Sequence, residues 1–354
     1  MDSRREERPD GPHENAGAEE TRERPRRRRW PFVVGGLVAL GVVTLVFATI
    51  VLALALGSGG GRSASSAVYE EEYVSGEGAD TIAVIPVEGQ LLSAESSIAG
   101  TQPTTTPEGL SDALDQARED ASVAAVVLEV NSPGGGVTAS DLMHQSIVEF
   151  KERTDKPVVV SMGDVAASGG YYIATAADEI LANETTLTGS LGVVIPLLNF
   201  SEASQEYGVT QNYITSGEFK AMGSSWKELT PEEREIFQSI VNDDYDGFVE
   251  VIVQGRDLTE ERVRELADGR VYSGEQAREL GLVDRFGDLE AAARAARDLA
   301  DVDRATVVRY VQSPTFRETL LARLAPPEPE ASHVMDRAGL NLEAKPYYLY
   351  LPGA

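Results

Sequence analysis

Asp164-Val165-Ala166-Ala167-Ser168-Gly169-Gly170-Tyr171-Tyr172-Ile173-Ala174 is the stretch on which the reading of this chain turns. It follows the apolar, β-branched run Pro157-Val158-Val159-Val160-Ser161-Met162, which reads as a buried parallel strand. From Tyr171 to Ala177 the pattern reads as the start of a helix. A small-residue turn between strand and helix lifts one hydroxyl, that of Ser168, to a helix N-terminus, where free N–H groups and the helix dipole favour negative charge. That setting suits a serine that must become an alkoxide and then hold an oxyanion. A Ser N-cap beside glycines used for close packing would read the same way, so support must come from elsewhere in the chain.

Outward from this stretch, strands and helices alternate. Thr81 to Val87 and Val123 to Val130 are β-branched runs, the second leading directly into Asn131-Ser132-Pro133-Gly134-Gly135-Gly136. Between them a helix is predicted over residues 108–119, with Leu110, Ala113, Leu114 and Ala117 on one face; another follows over 138–152, with Met143, Ile147 and Phe150 spaced for one face. Beyond the serine, residues 179–182 and 191–195 read as strands, with Thr188-Gly189-Ser190 between them. A long helix opens on Thr230-Pro231-Glu232-Glu233, a capping box with Pro at the first helical position. Shorter helices are expected near 259–267, 274–280 and 288–299. Near-continuous apolar strands separated by helices imply an α/β fold, a parallel sheet covered on both faces.

The ends differ in character. Residues 1–29 hold nine Arg and eight acidic residues and almost no large apolar side chain, so a disordered cytoplasmic tail is expected. Residues 30–56 are uncharged and almost wholly apolar, and as a helix those 27 residues would exceed the ~30 Å of a hydrocarbon core. They are too long for the apolar region of a cleavable signal, so one transmembrane signal anchor is expected. Arg26 to Arg29 before it predict a cell-membrane protein with the N-terminus in the cytoplasm and the catalytic domain outside. Residues 57–80 read as a flexible stalk, 81–311 as one folded domain, and 312–354 as a C-terminal tail with a Pro-rich linker, closing on Pro346-Tyr347-Tyr348-Leu349-Tyr350-Leu351-Pro352.

With 22 basic and 50 acidic residues left after residue 29, the rest of the chain has a net charge of −28, which disfavours nucleic acid and anionic lipid. Dense carboxylate with five lysines resembles the composition of proteins that work in high salt, where screening is nearly complete. The chain has no cysteine and only His13, His144 and His333, so thiol chemistry is excluded, and neither a metal site nor a cofactor is expected.

Three features bear on a nucleophilic serine. Gly134-Gly135-Gly136 stands at the carboxyl end of a predicted parallel strand, where backbone N–H groups can meet a substrate oxyanion; a tight strand-to-helix turn would use the same glycines. No histidine is well placed as a base, His144 falling mid-helix and His333 in the tail. Among the lysines, Lys151 ends a helix, Lys156 precedes a strand and Lys345 lies in the tail, which leaves Lys220 and Lys227. Lys220 has the more apolar neighbours, Phe219, Ala221 and Met222. A lysine at its ordinary pKa of ~10.4 is almost wholly protonated at pH 7, so a lysine base needs burial or hydroxyl partners such as Ser190. A plain surface lysine remains the other reading of Lys220.

The ordered set Asn131 to Gly136, Ala167-Ser168-Gly169-Gly170-Tyr171-Tyr172-Ile173-Ala174, Thr188-Gly189-Ser190-Leu191-Gly192-Val193 and Gly217-Glu218-Phe219-Lys220 resembles the signal peptide peptidase A (SppA) family. Gly269-Arg270-Val271-Tyr272-Ser273-Gly274-Glu275-Gln276-Ala277 and Leu280-Gly281-Leu282-Val283-Asp284 extend the likeness, over roughly residues 82–300 and in the short, single-repeat form. The resemblance implies a ClpP/crotonase-like fold and a membrane-anchored Ser-Lys protease that cuts signal-peptide remnants. It implies Ser168 as nucleophile, Lys220 as general base, Ser190 as the hydroxyl that orients the lysine, and Gly135 and Gly169 as backbone donors of the oxyanion hole. It also implies a homo-oligomer whose dyad is shared between protomers. The acidic surface and the Tyr-rich tail lie outside the shared pattern. A crotonase-type acyl-CoA enzyme and a catalytically idle membrane scaffold are the alternatives; anionic CoA fits poorly on so acidic a domain, and matching serine, lysine and hydroxyl disfavour the scaffold.

Overall fold

The computed structural model describes residues 69–93, 103–312 and 347–349. The expected N-terminal tail, the transmembrane anchor and residues 57–68 of the stalk lie outside them; among the described residues no helix is long and apolar enough to cross a membrane.

The chain builds one sheet with helices on both faces. In order, the elements are β1 (Tyr69–Gly76), β2 (Asp80–Leu91), β3 (Thr104–Thr105), α1 (Pro107–Glu119), β4 (Val123–Gly136), α2 (Val137–Arg153), β5 (Val158–Ala167), α3 (Gly169–Ala174), β6 (Glu179–Ala182) and β7 (Leu187–Gly189). Then come α4 (Ser201–Glu206), a 3-10 turn (Glu218–Ala221), α5 (Pro231–Gly255), α6 (Glu260–Leu266), β8 (Val271–Ser273), α7 (Gly274–Glu279), β9 (Arg285–Phe286), α8 (Leu289–Leu299), β10 (Ala305–Gln312) and β11 (Tyr347–Leu349). The main path of the sheet runs β1-β10-β2-β4-β5-β6-β9, with every neighbouring pair parallel except β1 with β10.

The β-branched strand runs are buried on both faces, as their composition predicts. Alternate residues serve the two sides: Val126, Leu128 and Val130 of β4 join Leu110, Met143, Ile147, Tyr171 and Phe248 in one core, while Ala125 and Val127 face the alanine side of α8, Ala292, Ala295 and Ala296. Each fully buried large side chain contributes ~1.5–3 kcal/mol. The helix predicted over 108–119 forms as α1, capped by Thr106, and the Thr230–Glu233 capping box opens α5.

Two boundaries depart from expectation. The stretch 57–80 is not stalk to its end, because Tyr69–Gly76 is an edge strand antiparallel to β10. Its apolar signal is weak because Glu70, Glu71 and Glu72 face solvent, as charged edge strands do. Tyr69 anchors it, stacked on Tyr310 at 6.0 Å between ring centroids and donating its hydroxyl to Gly109 O at 2.7 Å. The strand expected at 191–195 is also displaced: the paired residues are 187–189, and Gly189 (φ 82) and Ser190 (φ 50) then turn the chain off the sheet.

Candidate active site

β5 changes partner along its length, and this creates the site. Its first half pairs with β6 through Val159, Val160 and Ser161; its second half, Val165 to Ala167, pairs with β7 instead. Ser168 then closes the strand as N-cap of α3 with φ 54 and ψ −115. A non-glycine residue in that region carries ~1–2 kcal/mol of strain, which surrounding structure must hold. It is held on three sides. Ser168 N–H donates to Gly189 O at 2.8 Å, and Tyr172 N–H donates to Ser168 O at 2.8 Å. Fully buried Tyr171 donates its hydroxyl to Leu282 O at 2.8 Å, tying α3 down from below. Ser168 is itself fully buried, and its Oγ has no hydrogen-bond partner among the described residues. A buried hydroxyl left unpartnered is costly and uncommon in a structural residue.

The glycine run meets this turn directly. β4 and β5 separate after Ser132 pairs with Ala166, and the end of β4 passes beside α3. A Cβ placed on Gly169 would lie 3.2 Å from Gly135 N and 3.2 Å from Gly134 Cα. The backbones of Gly135 and Gly169 are therefore adjacent, next to Ser168. Gly135 is also pressed against β2, where a Cβ would come 2.0 Å from Leu91 O. Both glycines are needed for this close approach, which brings their backbones together beside Ser168.

Two serines escaped the sequence reading. Fully buried Ser132 donates its Oγ–H to Gly89 O at 2.6 Å and accepts from Gly134 N–H at 3.1 Å, fixing the left-handed Gly134 (φ 98). Fully buried Ser140 donates to Gly136 O at 3.1 Å, and its Oγ would lie 2.4 Å from a Cβ on Gly169. Both sit in unremarkable local contexts, and only the fold aims them at the glycines. If the Gly135 and Gly169 amides act as oxyanion donors, Ser132→Ala should lower kcat about tenfold while KM stays near its starting value, because the donors lose their aim without the binding surface changing. Steady-state kinetics on a peptide substrate reads this out; an unchanged kcat would remove Ser132 from the positioning role.

Ser190 follows Gly189, whose carbonyl holds the Ser168 amide, so the two serines sit on adjoining turns. The Gly269 to Ala277 motif supports it: Ser190 N–H donates to Arg270 O at 2.7 Å, and Tyr272 pairs with Thr188 across β7 and β8. Asp284 of the second motif accepts from the Ile180 amide at 2.7 Å and pairs with Arg256, its Oδ2 3.0 Å from Nη1.

Lys220 is not brought to Ser168, whose Oγ has no partner. It lies on the 3-10 turn at the end of a segment, residues 205–220, in which every residue is exposed. The other described lysines are committed. Lys151 donates to Ala176 O at 2.8 Å and pairs with Asp178 at 2.9 Å. Lys156 donates to Ala117 O and Asp120 O, each at 2.7 Å, and Lys227 pairs with buried Glu233, which sits well below the usual carboxylate range because of that hydrogen bond. His144 lies on α2 with its ring edge against Tyr172, 5.3 Å between centroids, and burial pulls its pKa below the ordinary value. A cleft of about 760 Å³ at the carboxyl end of β2, lined by Glu88, Thr105, Glu108 and Arg309 among others, contains none of these candidates.

Residues 150–303 match the family model described as peptidase family S49. A relative in Enterococcus faecium that carries the name of signal peptide peptidase SppA is 34% identical over 295 residues, covering 81% of this chain and 86% of the relative. Protease 4 of Haemophilus influenzae is 36% identical over 228 residues, covering 64% of this chain and 36% of the relative. Serine protease SPPA of the Arabidopsis thaliana chloroplast is 34% identical over 226 residues, covering 64% and 33%. A solved ClpP1 mutant from Listeria monocytogenes aligns at 16% identity with a TM-score of 0.39, covering 59% of this chain and 94% of that one.

Proposed function

The chain belongs to peptidase family S49, the SppA-type serine proteases, and on that premise we propose that it is a Ser-Lys endopeptidase with Ser168 as nucleophile and Lys220 as general base. The observation that carries the assignment is the Ser168 hydroxyl, buried, unpartnered and held in a strained conformation beside two adjacent glycine amides. Neutral Lys220 takes the Ser168 proton as Oγ attacks the scissile carbonyl, and the Gly135 and Gly169 N–H groups receive the oxyanion. The ammonium then returns the proton to the leaving amine, and water, activated by the same lysine, hydrolyses the acyl-enzyme. Ser190 orients the amine. Elimination among the described lysines supports the base, since Lys151, Lys156 and Lys227 each hold a carbonyl or carboxylate, and an arginine cannot accept a proton.

Lys220 reaches a serine only if the exposed segment that carries it docks elsewhere. Exposed Tyr207, Val209, Phe219 and Trp226, with fully exposed Ile214, make this region unusually apolar for solvent. A ring of copies, each lending its lysine to a neighbour's Ser168, accounts for the partnerless hydroxyl, the uncommitted lysine and the apolar segment together. The ClpP/crotonase-like architecture, signal-peptide remnants and other apolar peptides as substrates, and anchoring by residues 30–56 with the catalytic domain outside the cell belong to the same proposal. Mixing inactive Ser168→Ala and inactive Lys220→Ala subunits should restore up to about a quarter of full activity, the fraction of mixed sites that carry both groups if pairing is random. No recovery with assembly intact would place the dyad within one chain.

A further inference from the structure

β5 reaches its second partner through an irregularity that the catalytic reading leaves unused. Its pairing with β6 ends at Ser161, opposite Leu181, and its pairing with β7 begins at Val165, opposite Leu187. On the other edge β4 matches β5 regularly as far as Val130 and Met162, and pairing resumes at Ser132 and Ala166. Gly163, Asp164 and Val165 therefore stand opposite the single residue Asn131, as a bulge with two extra residues. Bulges bend a strand and re-aim the side chains beyond them, and this one comes just before Ala166, Ala167 and Ser168.

Side chains hold the bulge from both edges. In the fork between β6 and β7 sits Thr186, 1% exposed. Its hydroxyl donates to Gly163 O at 2.8 Å and accepts from Asn183 N–H at 3.1 Å, while its own N–H donates to Asn183 O at 3.1 Å. One hydroxyl thus joins the bulge to the turn through which the chain passes from β6 to β7. On the β4 edge, Val165 N–H donates to Asn131 Oδ1 at 3.2 Å. Gly163 makes room for that side chain, since a Cβ there would lie 3.1 Å from Asn131 Cβ and 3.2 Å from Asn131 Cγ. Beyond the bulge the strand stays tied to β7. Buried Thr188 donates its hydroxyl to Ala166 O at 2.6 Å, and Ser168 N–H reaches Gly189 O.

We propose that the β5 bulge sets where Ser168 stands, with Thr186 and Asn131 as its positioning residues. This inference rests on the peptidase reading of Ser168. Neither side chain bonds the Ser168 hydroxyl, so both act through the strand. Without the Thr186 hydroxyl, Gly163 O and Asn183 N–H both lose their partner in the fork, and β5 is drawn toward a more regular register. That shift carries Ser168 away from the place where the Gly135 and Gly169 backbones meet. A displacement of about 1 Å at a reacting atom lowers a rate by about 10²-fold.

Thr186→Val keeps the branched shape and removes the hydroxyl, whereas Thr186→Ser keeps the hydroxyl. Asn131→Leu and Asn131→Asp make the same comparison on the other edge, at an exposed position where substitution leaves the fold intact. Each full-length variant is assayed at a temperature where its unfolding curve shows it folded. Cleavage of an apolar fluorogenic peptide gives kcat and KM, and the rate of fluorophosphonate labelling at Ser168 reports the serine alone. Thr186→Val should lose about 10²-fold in both kcat and labelling rate, with KM near its starting value. Asn131→Leu should lose about tenfold in the same way. Thr186→Ser and Asn131→Asp should recover most of each loss, because each retains the bonding oxygen. A purely structural role would lower the unfolding temperature and leave the folded chain's kcat alone. Native kcat in folded Thr186→Val or in Asn131→Leu would overturn the proposal and leave the peptidase reading intact. Equal losses in Thr186→Ser and Thr186→Val would also overturn it, by showing that the hydroxyl is not the cause. An unsubstituted chain that takes no label on Ser168 would remove the peptidase reading itself, and the proposal with it.

Discussion

Ser168→Ala and Lys220→Ala should each reduce peptide cleavage by roughly 10⁴- to 10⁶-fold. On the proposed reading Ser168 Oγ forms the acyl bond, and among the described residues no other hydroxyl stands at the turn between β5 and α3 with the Gly135 and Gly169 backbones beside it. Alanine at position 168 keeps the Cβ and removes only an oxygen that makes no hydrogen bond, so the fold should be retained. Lys220 sits on an exposed turn, and its truncation should leave thermal stability almost unchanged. Lys220→Arg should be as inactive as Lys220→Ala, because a guanidinium stays protonated. The double variant should be no worse than either single one, since the two groups act in one proton transfer. Ser190→Ala should slow the reaction without silencing it, since the proposed role of Ser190 is to orient the base and not to exchange a proton. Normal cleavage by Lys220→Ala would show that the base has been misassigned. Lys227 is a poor comparison by truncation, because Lys227→Ala leaves buried Glu233 without its ion pair; Lys227→Arg keeps that pair and should stay active.

Gly135→Ala should be damaging in a different way. Its Cβ would come 2.0 Å from Leu91 O and 2.7 Å from both Leu91 C and Leu91 N, all backbone atoms of β2 that cannot rotate aside. The end of β4 has to shift, which costs about 3 kcal/mol of packing and moves the proposed oxyanion donor. Losing one such donor lowers kcat by about 10²- to 10³-fold. Gly136 offers the comparison. It has φ −65, and a Cβ there meets nothing closer than 3.9 Å, so Gly136→Ala should fold normally and keep most of its activity. Thermal unfolding and kcat measured side by side separate the two effects. Near-native kcat in Gly135→Ala would exclude its N–H from the oxyanion hole.

Much of this arrangement was legible in the residues because strong local signals and the tertiary fold agree. The apolar runs at β2, β4 and β5 could be satisfied only inside a covered sheet, and the helices between them declared their buried faces by spacing. Ser168 was visible as a small-residue turn between a strand and a helix, and the backbones of Gly135 and Gly169 lie together beside it. Other features were hidden because tertiary contacts create them. β1 is three glutamates and two tyrosines with little core-facing pattern, and pairing with β10, with Tyr69 held on Tyr310 and the Gly109 carbonyl, makes it a strand. β7 has three residues and depends on β5 and β8 for its existence, so the more apolar run after it drew the prediction away. Ser132 and Ser140 carry no periodic or compositional signal at all. The pairing of Tyr347–Leu349 with Gly134–Gly136 joins segments about 210 residues apart, a relation that no local pattern encodes.

The most direct measurement of the central claim is fluorophosphonate labelling of the full chain in its native assembly, with the adduct located by peptide mass mapping. The account predicts a single adduct on Ser168, absent from Ser168→Ala and formed far more slowly in Lys220→Ala, while His144→Gln labels at the native rate. An adduct on any other residue with Ser168 unmodified, or labelling of Lys220→Ala at the native rate, would contradict it.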